Sequence, residues 1–399
     1  MSSDYSEKHT FEAEWFDPVA SLLKKFLLYY FPADNTVEIV SAVIDILFPT
    51  RQEYDIKNRK VFLRRTKCQG ITAKDFYVGG MVHIFSRCLK IKDFADGATK
   101  AKLADQMERT LAIIKPDAID KMGEILKRIT RNNFHIGNVK MVHMTRDEAE
   151  EFYNKHRGQS DLPMLLKYMT SGPILTLQLI GEQGIDKWRE LMGPTDSVEA
   201  RETAQNSIRA CYGKDKVYNA VHGSDSSESA ARELRYFFPD EKVRSRSIKN
   251  TATLKNCTCC VIKPHAVQSR LIGYIIDDIQ KAGYTISAVQ QFYVDPTNVE
   301  EFLEVYKGVL PEYGAMVTEM QSGPCVAMEI THSHREKDVP TEFRKLCGPM
   351  DPDIARQLRP ETLRAKYGKT KVQNAVHCSD LPEDGLLEVE YFFKILADS

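Results

Sequence analysis

Two histidines stand in nearly identical surroundings. His222 lies in Asn219-Ala220-Val221-His222-Gly223-Ser224-Asp225, and His377 in Asn374-Ala375-Val376-His377-Cys378-Ser379-Asp380; six of the seven positions agree. An arginine stands 13 residues before each histidine (Arg209, Arg364) and a glutamate 11 residues after it (Glu233, Glu388). Then follows Tyr236-Phe237-Phe238 or Tyr391-Phe392-Phe393. A neutral imidazole is a competent nucleophile at pH 7, and a carboxylate on its other nitrogen fixes its tautomer and direction. Arginine forks match phosphate oxygens in a bidentate way. Phosphoryl transfer asks for positive charge around a spreading negative charge and for an aligned nucleophile. His222 with Glu233, and His377 with Glu388, therefore read as catalytic pairs whose histidine receives a phosphoryl group.

The cations recur as well. Lys115 ends the apolar run Leu111-Ala112-Ile113-Ile114, as Lys263 follows Val261-Ile262. Arg189 stands four residues before Gly193, as Arg344 stands four before Gly348. Taken singly, a lysine after a strand is ordinarily a solvated charge and a histidine before a Gly-Ser turn is ordinarily structural. The joint recurrence at matched spacings is what argues for chemistry. Other signals are weaker. Gly368-Lys369-Thr370 mimics the end of a phosphate-binding P-loop, but position 363 is Leu. Cys257-Thr258-Cys259-Cys260 has no second pair at zinc-site spacing and reads as small buried thiols in a strand, so no metal ligands are assigned. His222-Gly223-Ser224-Asp225 lacks the Gly-x-Ser-x-Gly elbow of a hydrolase.

The chain of 399 residues predicts two or three domains. Its net charge of −1 gives no global attraction to nucleic acid or to an anionic membrane, and neither is expected as a partner. No run of ~18 apolar residues predicts a spanning helix, and residues 1–17 lack the apolar core of a signal peptide. Nine cysteines, an odd number spread over the chain, fit reduced thiols in the cytoplasm better than a disulfide framework.

The elements that must hold these residues are read in chain order. Residues 1–100 are expected to form a β-rich module: residues 60–65 and 81–85 near-alternate, and Gly79-Gly80 supplies a turn. Residues 40–53 look like an insertion within it. Residues 94–108 read as a linker or connecting helix. Residues 109–240 form the first repeat, with strands at 111–114, 139–144 and 174–180. Helices are expected at 123–133, 146–156, 185–192, 203–211 and 226–238. Residues 241–255 are a basic linker, most simply solvated. Residues 256–396 repeat the unit, with a polar surface-loop insertion between 330 and 340. Strands and helices in mixed order favour an α+β sandwich over a doubly wound sheet.

The motifs resemble those of the nucleoside diphosphate kinases. Ile114-Lys115-Pro116-Asp117, Ser171-Gly172-Pro173, Ile208-Arg209 and Asn219 to Asp225 match the family's segments, and the two copies together cover about 270 residues. The resemblance implies two tandem ferredoxin-like domains, each a four-stranded antiparallel sheet covered by helices. It implies transfer of the γ-phosphate of a nucleoside triphosphate to a diphosphate through a phosphohistidine, with Mg²⁺ on the phosphates. By position Lys115, Arg189, Thr195, Arg209 and Asn219, and in the second copy Lys263, Arg344, Arg364 and Asn374, would hold the nucleotide. Lead by a pleckstrin-homology-like module around Ala13-Glu14-Trp15-Phe16-Asp17-Pro18, the plan is similar to that of tandem-kinase members associated with cilia, centrosomes and axonemal microtubules. Microtubule, axonemal or centrosomal proteins are the partners this implies, with the kinase folds serving as scaffold in the alternative reading. The sequence departs from the family in three respects. The first copy reads Gln159-Ser160-Asp161-Leu162 where an aromatic base platform is usual. The second has Met350 for a threonine and Cys378 for glycine, and His265 follows Pro264 in place of aspartate. Base stacking is worth ~1–3 kcal/mol in other proteins, so nucleotide binding is expected to weaken, and most activity is expected in the first copy.

Overall fold

The computed structural model describes residues 7–17, 22–41, 60–68, 71, 75–85, 87–103, 107–156, 158, 160–239, 248–332 and 338–397. Most of the insertion expected at 40–53, the first half of the 241–255 linker, the centre of the 330–340 loop and Gln159 lie outside the described residues. The chain divides into two compact units, residues 1–107 and residues 108–399.

Among the described residues the first unit is a six-stranded antiparallel sheet and one α-helix. Its strands are β1 (His9–Asp17), β2 (Leu22–Phe31), β3 (Thr36–Ser41), β4 (Lys60–Lys67), β5 (Met81–Ile84) and β6 (Arg87–Phe94), in the order β4-β3-β2-β1-β6-β5. Period-two burial puts Phe11, Leu28, Tyr30, Ile39, Ile84 and Ile91 into its core. The segment 94–108 contains helix α1 (Gly97–Leu103).

In the second unit each repeat supplies four strands. The first repeat runs β7 (Glu108–Ile114), α2 (Met122–Arg131), β8 (His135–Val142), α3 (Arg146–Phe152), α4 (Leu162–Met169) and β9 (Ile174–Gly181). It continues with α5 (Gly184–Met192), α6 (Ser197–Thr203), α7 (Ile208–Tyr212), β10 (Val221–Gly223) and α8 (Ser227–Phe237). The second repeat runs β11 (Thr258–Ile262), α9 (Pro264–Gln268), α10 (Ile272–Lys281), β12 (Tyr284–Phe292), α11 (Pro296–Phe302), α12 (Tyr313–Met320) and β13 (Cys325–His332). It ends with α13 (Val339–Cys347), α14 (Pro352–Leu358), α15 (Leu363–Tyr367), β14 (Val376–Cys378), α16 (Asp384–Glu390) and a wide turn at Tyr391–Leu396. Each repeat is the ferredoxin-like α+β layer expected. Of the single helix read over 203–211, only 208–211 lies in a helix of its own, α7, while Thr203 ends α6. Ala204 leaves helical backbone at φ −144° and Ser207, accepting from the Ala210 N–H, caps α7.

The two four-stranded sheets join edge to edge into one eight-stranded sheet, β10-β7-β9-β8-β12-β13-β11-β14. The join is narrow, Gln290 pairing with Lys140, and is reinforced by Gln291 Nε2 donating to Gly137 O at 2.8 Å. Most of the cohesion comes from α2 against α10. Ile125, Leu126 and Ile129, and Ile272, Ile275, Ile276 and Ile279, follow helical spacing and are buried. Each full burial is worth ~1.5–3 kcal/mol. The helices touch at Gly123 and Gly273; a Cβ at Gly123 would lie 2.4 Å from the Asp277 backbone. Lys127 forms an ion pair with Asp277, and Gly123 N donates to Gln280 Oε1 at 2.9 Å.

Candidate active site

Short strand β10 carries His222 beside β7, with His222 opposite Ile113. The entry to it is bent. Ala220, just before, has φ 65°, and so has its counterpart Ala375, at φ 70°. A left-handed alanine is strained, a cost of ~1–2 kcal/mol that functional sites often retain. The bend is pinned by the Lys115 N–H donating to Ala220 O at 2.8 Å. It sets Asn219 against the lysine side chain: Lys115 Nζ donates to Asn219 Oδ1 at 2.7 Å. Asn219 Nδ2 in turn donates to Thr195 O and Lys216 O, both at 2.9 Å. Lysine, asparagine and threonine, far apart in sequence, thus meet through one loop.

Helix α8, capped by Ser226, aims Glu233 at the histidine. Glu233 Oε2 lies 3.2 Å from His222 Nε2 and accepts from Ser224 Oγ at 2.8 Å. A carboxylate at Nε2 favours the tautomer with its proton there and leaves the Nδ1 lone pair as the reactive one. Among the described residues Nδ1 has no hydrogen-bond partner, and His222 lines a cleft of ≈ 1030 Å³. Burial works against ionising Glu233, but the contacts with His222 and Ser224 outweigh it and hold its carboxyl below the usual range. Phe152 and Tyr153 meet the imidazole edge-on at 5.6 and 6.0 Å between ring centres. Trp188 Nε1 donates to His222 O at 3.3 Å and packs beside Gly223, where a Cβ would come within 2.3 Å of it.

Around the histidine the cleft is cationic. Lys115, Arg189, Arg209 and exposed Thr195 all line it. Arg209 is anchored by donating to Gly193 O at 2.8 Å and to Val221 O at 3.3 Å. Burial, then the neighbouring Arg209, pulls Lys115 down to about 7. Sequence reasoning missed Ser224, Trp188, Phe152 and Lys155. Ser224 was within reach, since Ser379 repeats it. The bases for the other three are tertiary. Where the family usually has an aromatic platform, Asp161 pairs with Lys216 at 3.3 Å, and Leu162 and Leu165 line the wall. Among the described residues no cluster of three or more His, Cys, Asp or Glu side chains is placed to hold a metal. No helix there is long and apolar enough to cross a membrane.

The family model for nucleoside diphosphate kinase matches residues 108–243 and 256–396. The chain belongs to the nucleoside diphosphate kinase family. It is 48% identical to nucleoside diphosphate kinase homolog 7 of Rattus norvegicus, over 98% of this chain and 94% of that protein. It is 48% identical over 33% of its length to the nucleoside diphosphate kinase of Aquifex aeolicus, 94% of which is covered. A solved orthorhombic crystal form of the Aquifex aeolicus kinase covers the same shares, with a TM-score of 0.32.

The second kinase repeat brings the corresponding residues together in a different state. His377 Nε2 lies 2.9 Å from Glu388 Oε2, which also accepts from Ser379 Oγ at 2.7 Å. Burial lowers and Glu388 raises the His377 pKa; the carboxylate wins. Lys263 donates to Val372 O at 2.9 Å instead of to Asn374, and Asn374 Nδ2 donates to Met350 O at 3.0 Å. Arg364 is buried, bonded to Gly348 O at 2.8 Å and to Val376 O at 3.2 Å. Arg344 is engaged by Asp380, through its backbone O at 2.6 Å and Oδ1 at 3.2 Å. Arg189 has no such carboxylate partner among the described residues. Cys378, buried and accepting from Arg364 Nη2 at 3.7 Å, stands where the first repeat has Gly223, and Phe343 stands where it has the larger Trp188. His265 also has its compensation. In the first repeat Tyr168 donates to Asp117; in the second Glu319, at the tyrosine's position, accepts from His265 Nδ1 at 2.6 Å. Cys68, Cys211, Cys257, Cys259, Cys260, Cys325, Cys347 and Cys378 are free thiols, and of these all but Cys211 are buried.

Proposed function

We propose that the first repeat transfers the γ-phosphate of a nucleoside triphosphate to a nucleoside diphosphate through a phosphohistidine on His222. The observation that carries the reading is His222 in a cationic cleft, held at Nε2 by Glu233 with Nδ1 unpartnered. In the first step Nδ1 attacks the γ-phosphorus, a P–N bond forms, and the P–O bond to the leaving diphosphate breaks. The second step is the reverse with a different diphosphate as acceptor. Lys115, Arg189 and Arg209 neutralise the phosphate oxygens, and Asn219 and Thr195 orient the nucleotide. Glu233 stabilises the positive imidazole that forms. The donor set fits Mg²⁺ that arrives on the phosphates, since that ion keeps several waters and needs only one or two carboxylates. Asp225, which lines the cleft, would face its water shell. When bound, Mg²⁺ would supply charge neutralisation on the phosphate oxygens.

In the second repeat His377, Glu388, Lys263, Arg364 and Asn374 keep the outline of the same machinery, but Arg344 is occupied by Asp380. We assign it the smaller share of turnover. Phosphate transfer from ATP to GDP by the full chain tests the assignment. His222→Gln removes most of it and His377→Gln leaves most of it; the opposite pattern overturns the reading.

A structural role on ciliary or centrosomal microtubules is the second reading, favoured by the first unit. That sheet's strand β4 displays Lys60, Val61, Phe62, Arg64, Arg65 and Lys67 mostly to solvent. Arg65 sits over Phe31 and Arg87 over Trp15 and Phe62. Cations and rings with no catalytic set suit docking. Deleting residues 1–100 should release the protein from ciliary microtubules while His222→Gln leaves it attached; loss of the histidine variant alone would overturn this reading.

A further inference from the structure

Three positions behind the histidine change together between the repeats. Ala112 on β7, Met192 at the end of α5 and Gly223 after His222 become Cys260 on β11, Cys347 at the end of α13 and Cys378 after His377. All three cysteines are buried in one core cluster. In the first repeat the last two positions adjoin: a Cβ at Gly223 would lie 2.7 Å from the Met192 methyl. In the second, the Cys347 thiol donates a hydrogen bond to the Cys378 sulfur.

One guanidinium holds both sides of this pair. Arg364 donates to Gly348 O at 2.8 Å, one residue after Cys347, and to Cys378 Sγ at 3.7 Å. The hydrogen bond from Cys347, then the positive charges of Arg364 and His377, hold the Cys378 thiol below the usual cysteine range despite its burial. Burial and the same hydrogen bond push Cys347 up, and burial pushes Cys260 up. The thiolate is the reactive form, so Cys378 is the nucleophile of the three. The first repeat's counterparts, Gly223 and Met192, line the open cleft. A molecule as small as a peroxide reaches Cys378 from the same side, through local opening of that wall.

Two thiols compete to be its partner. Cys260 faces Cys378 across the ladder. Lys263 N donates to Ala375 O at 2.9 Å, and the alternation of the ladder from there makes Cys260 and Cys378 a non-hydrogen-bonded pair. Their Cβ atoms are then ~4.5–5.5 Å apart, against ~3.5–4.5 Å in a disulfide, so the ladder would have to pucker. Cys347 comes from a helix packed on the sheet and already reaches the sulfur.

We propose that Cys378 and Cys347 form an oxidation site, at which a hydroperoxide converts the two thiols into a disulfide between β14 and α13. Cys378 sulfur attacks one peroxide oxygen, the O–O bond breaks, and the leaving hydroxide departs as water with the thiol proton. Cys347 sulfur then attacks the sulfenic acid on Cys378; the S–S bond forms, the S–O bond breaks and a second water leaves. The thiols lose two electrons and two protons, and the peroxide takes up both. The bond joins the elements that carry Arg344 and His377.

The reduced full chain is treated with hydrogen peroxide, its remaining thiols are alkylated in denaturant, and it is cut with trypsin without reductant. Cys347, Cys378 and Cys260 fall in separate tryptic peptides, 346–356, 372–394 and 256–270. The expected product joins 346–356 to 372–394, forms before exposed Cys211 is oxidised, and is reversed by dithiothreitol. In Cys347→Ala the link is absent and dimedone traps a sulfenic acid on 372–394. A link between 256–270 and 372–394 as the main product overturns the proposal. So does oxidation of Cys211 while Cys347 and Cys378 stay alkylatable, or a link that appears only once denaturant has unfolded the chain. The wild-type map decides even where the variant fails to fold, and no arm depends on the assignment of His222.

Discussion

Lys115 is where residue chemistry and pH meet. A buried ammonium beside Arg209 has lost hydration, and the attraction of Asp117 and Asp215 does not make up for it, so burial and then Arg209 bring it to about 7. An unfolded lysine titrates near ~10.4. Between pH ~7 and ~10 the unfolded state therefore binds more protons, and this residue's contribution to stability rises with pH across that window. Lys263, also drawn to about 7 by burial and Arg364, acts in the same direction. A bound polyphosphate reverses the balance, because negative charge next to the amine restores its proton. Nucleotide binding at pH 8 should take up about one proton, seen as a calorimetric heat that varies with buffer ionisation enthalpy. Lys115→Met should remove that uptake. Heats that do not depend on the buffer, or an unchanged uptake in the variant, would contradict the charge assignment. At this scale the sequence was informative: His222, Glu233, Lys115, Arg209, Asn219 and Thr195 are brought to one cleft. Their hydrogen-bond assignments were not legible. Which nitrogen of His222 faces Glu233 depends on the left-handed bend at Ala220, and nothing in an alanine announces a positive φ.

Among the elements, the contact of α5 with β10 explains a pair of differences that look independent in the sequence. Trp188 on α5 lies against Gly223; in the second repeat the corresponding positions hold Phe343 and Cys378. The larger ring goes with the absent side chain. Gly223→Cys should therefore overpack the first repeat and cost ~1–3 kcal/mol. Trp188→Phe in the same chain should recover much of that cost despite losing the hydrogen bond to His222 O. A double-mutant cycle in denaturant reads the coupling, and strictly additive costs would contradict the packing account. The sequence showed Cys378 as a departure but not its partner, since the two positions are 35 residues apart and meet only in the fold. The helix break after Thr203 was likewise hidden, because 203–211 has helical composition and only the Ser207 cap and the Ala204 backbone divide it.

For the whole molecule, the family resemblance implied two sheets of four strands, and both are present. Their union into one eight-stranded sheet was not legible. A pairing as brief as Gln290 with Lys140 leaves no periodic mark, and the apolar stripes of α2 and α10 predict burial without saying against what. The union has a functional consequence. Two histidines in one repeated pattern now sit in a single body whose halves are free to differ: Lys155 and Arg232 give way to Val305 and Leu387, Glu190 and Ala204 to Lys345 and Arg359, and Arg344 is held by Asp380. The central claim is that phosphate passes through His222. It is tested most directly by incubating the full chain with γ-labelled ATP and mapping the acid-labile, base-stable label. The account predicts label on the peptide containing His222, lost in His222→Gln and kept in His377→Gln. Undiminished label in His222→Gln would contradict it.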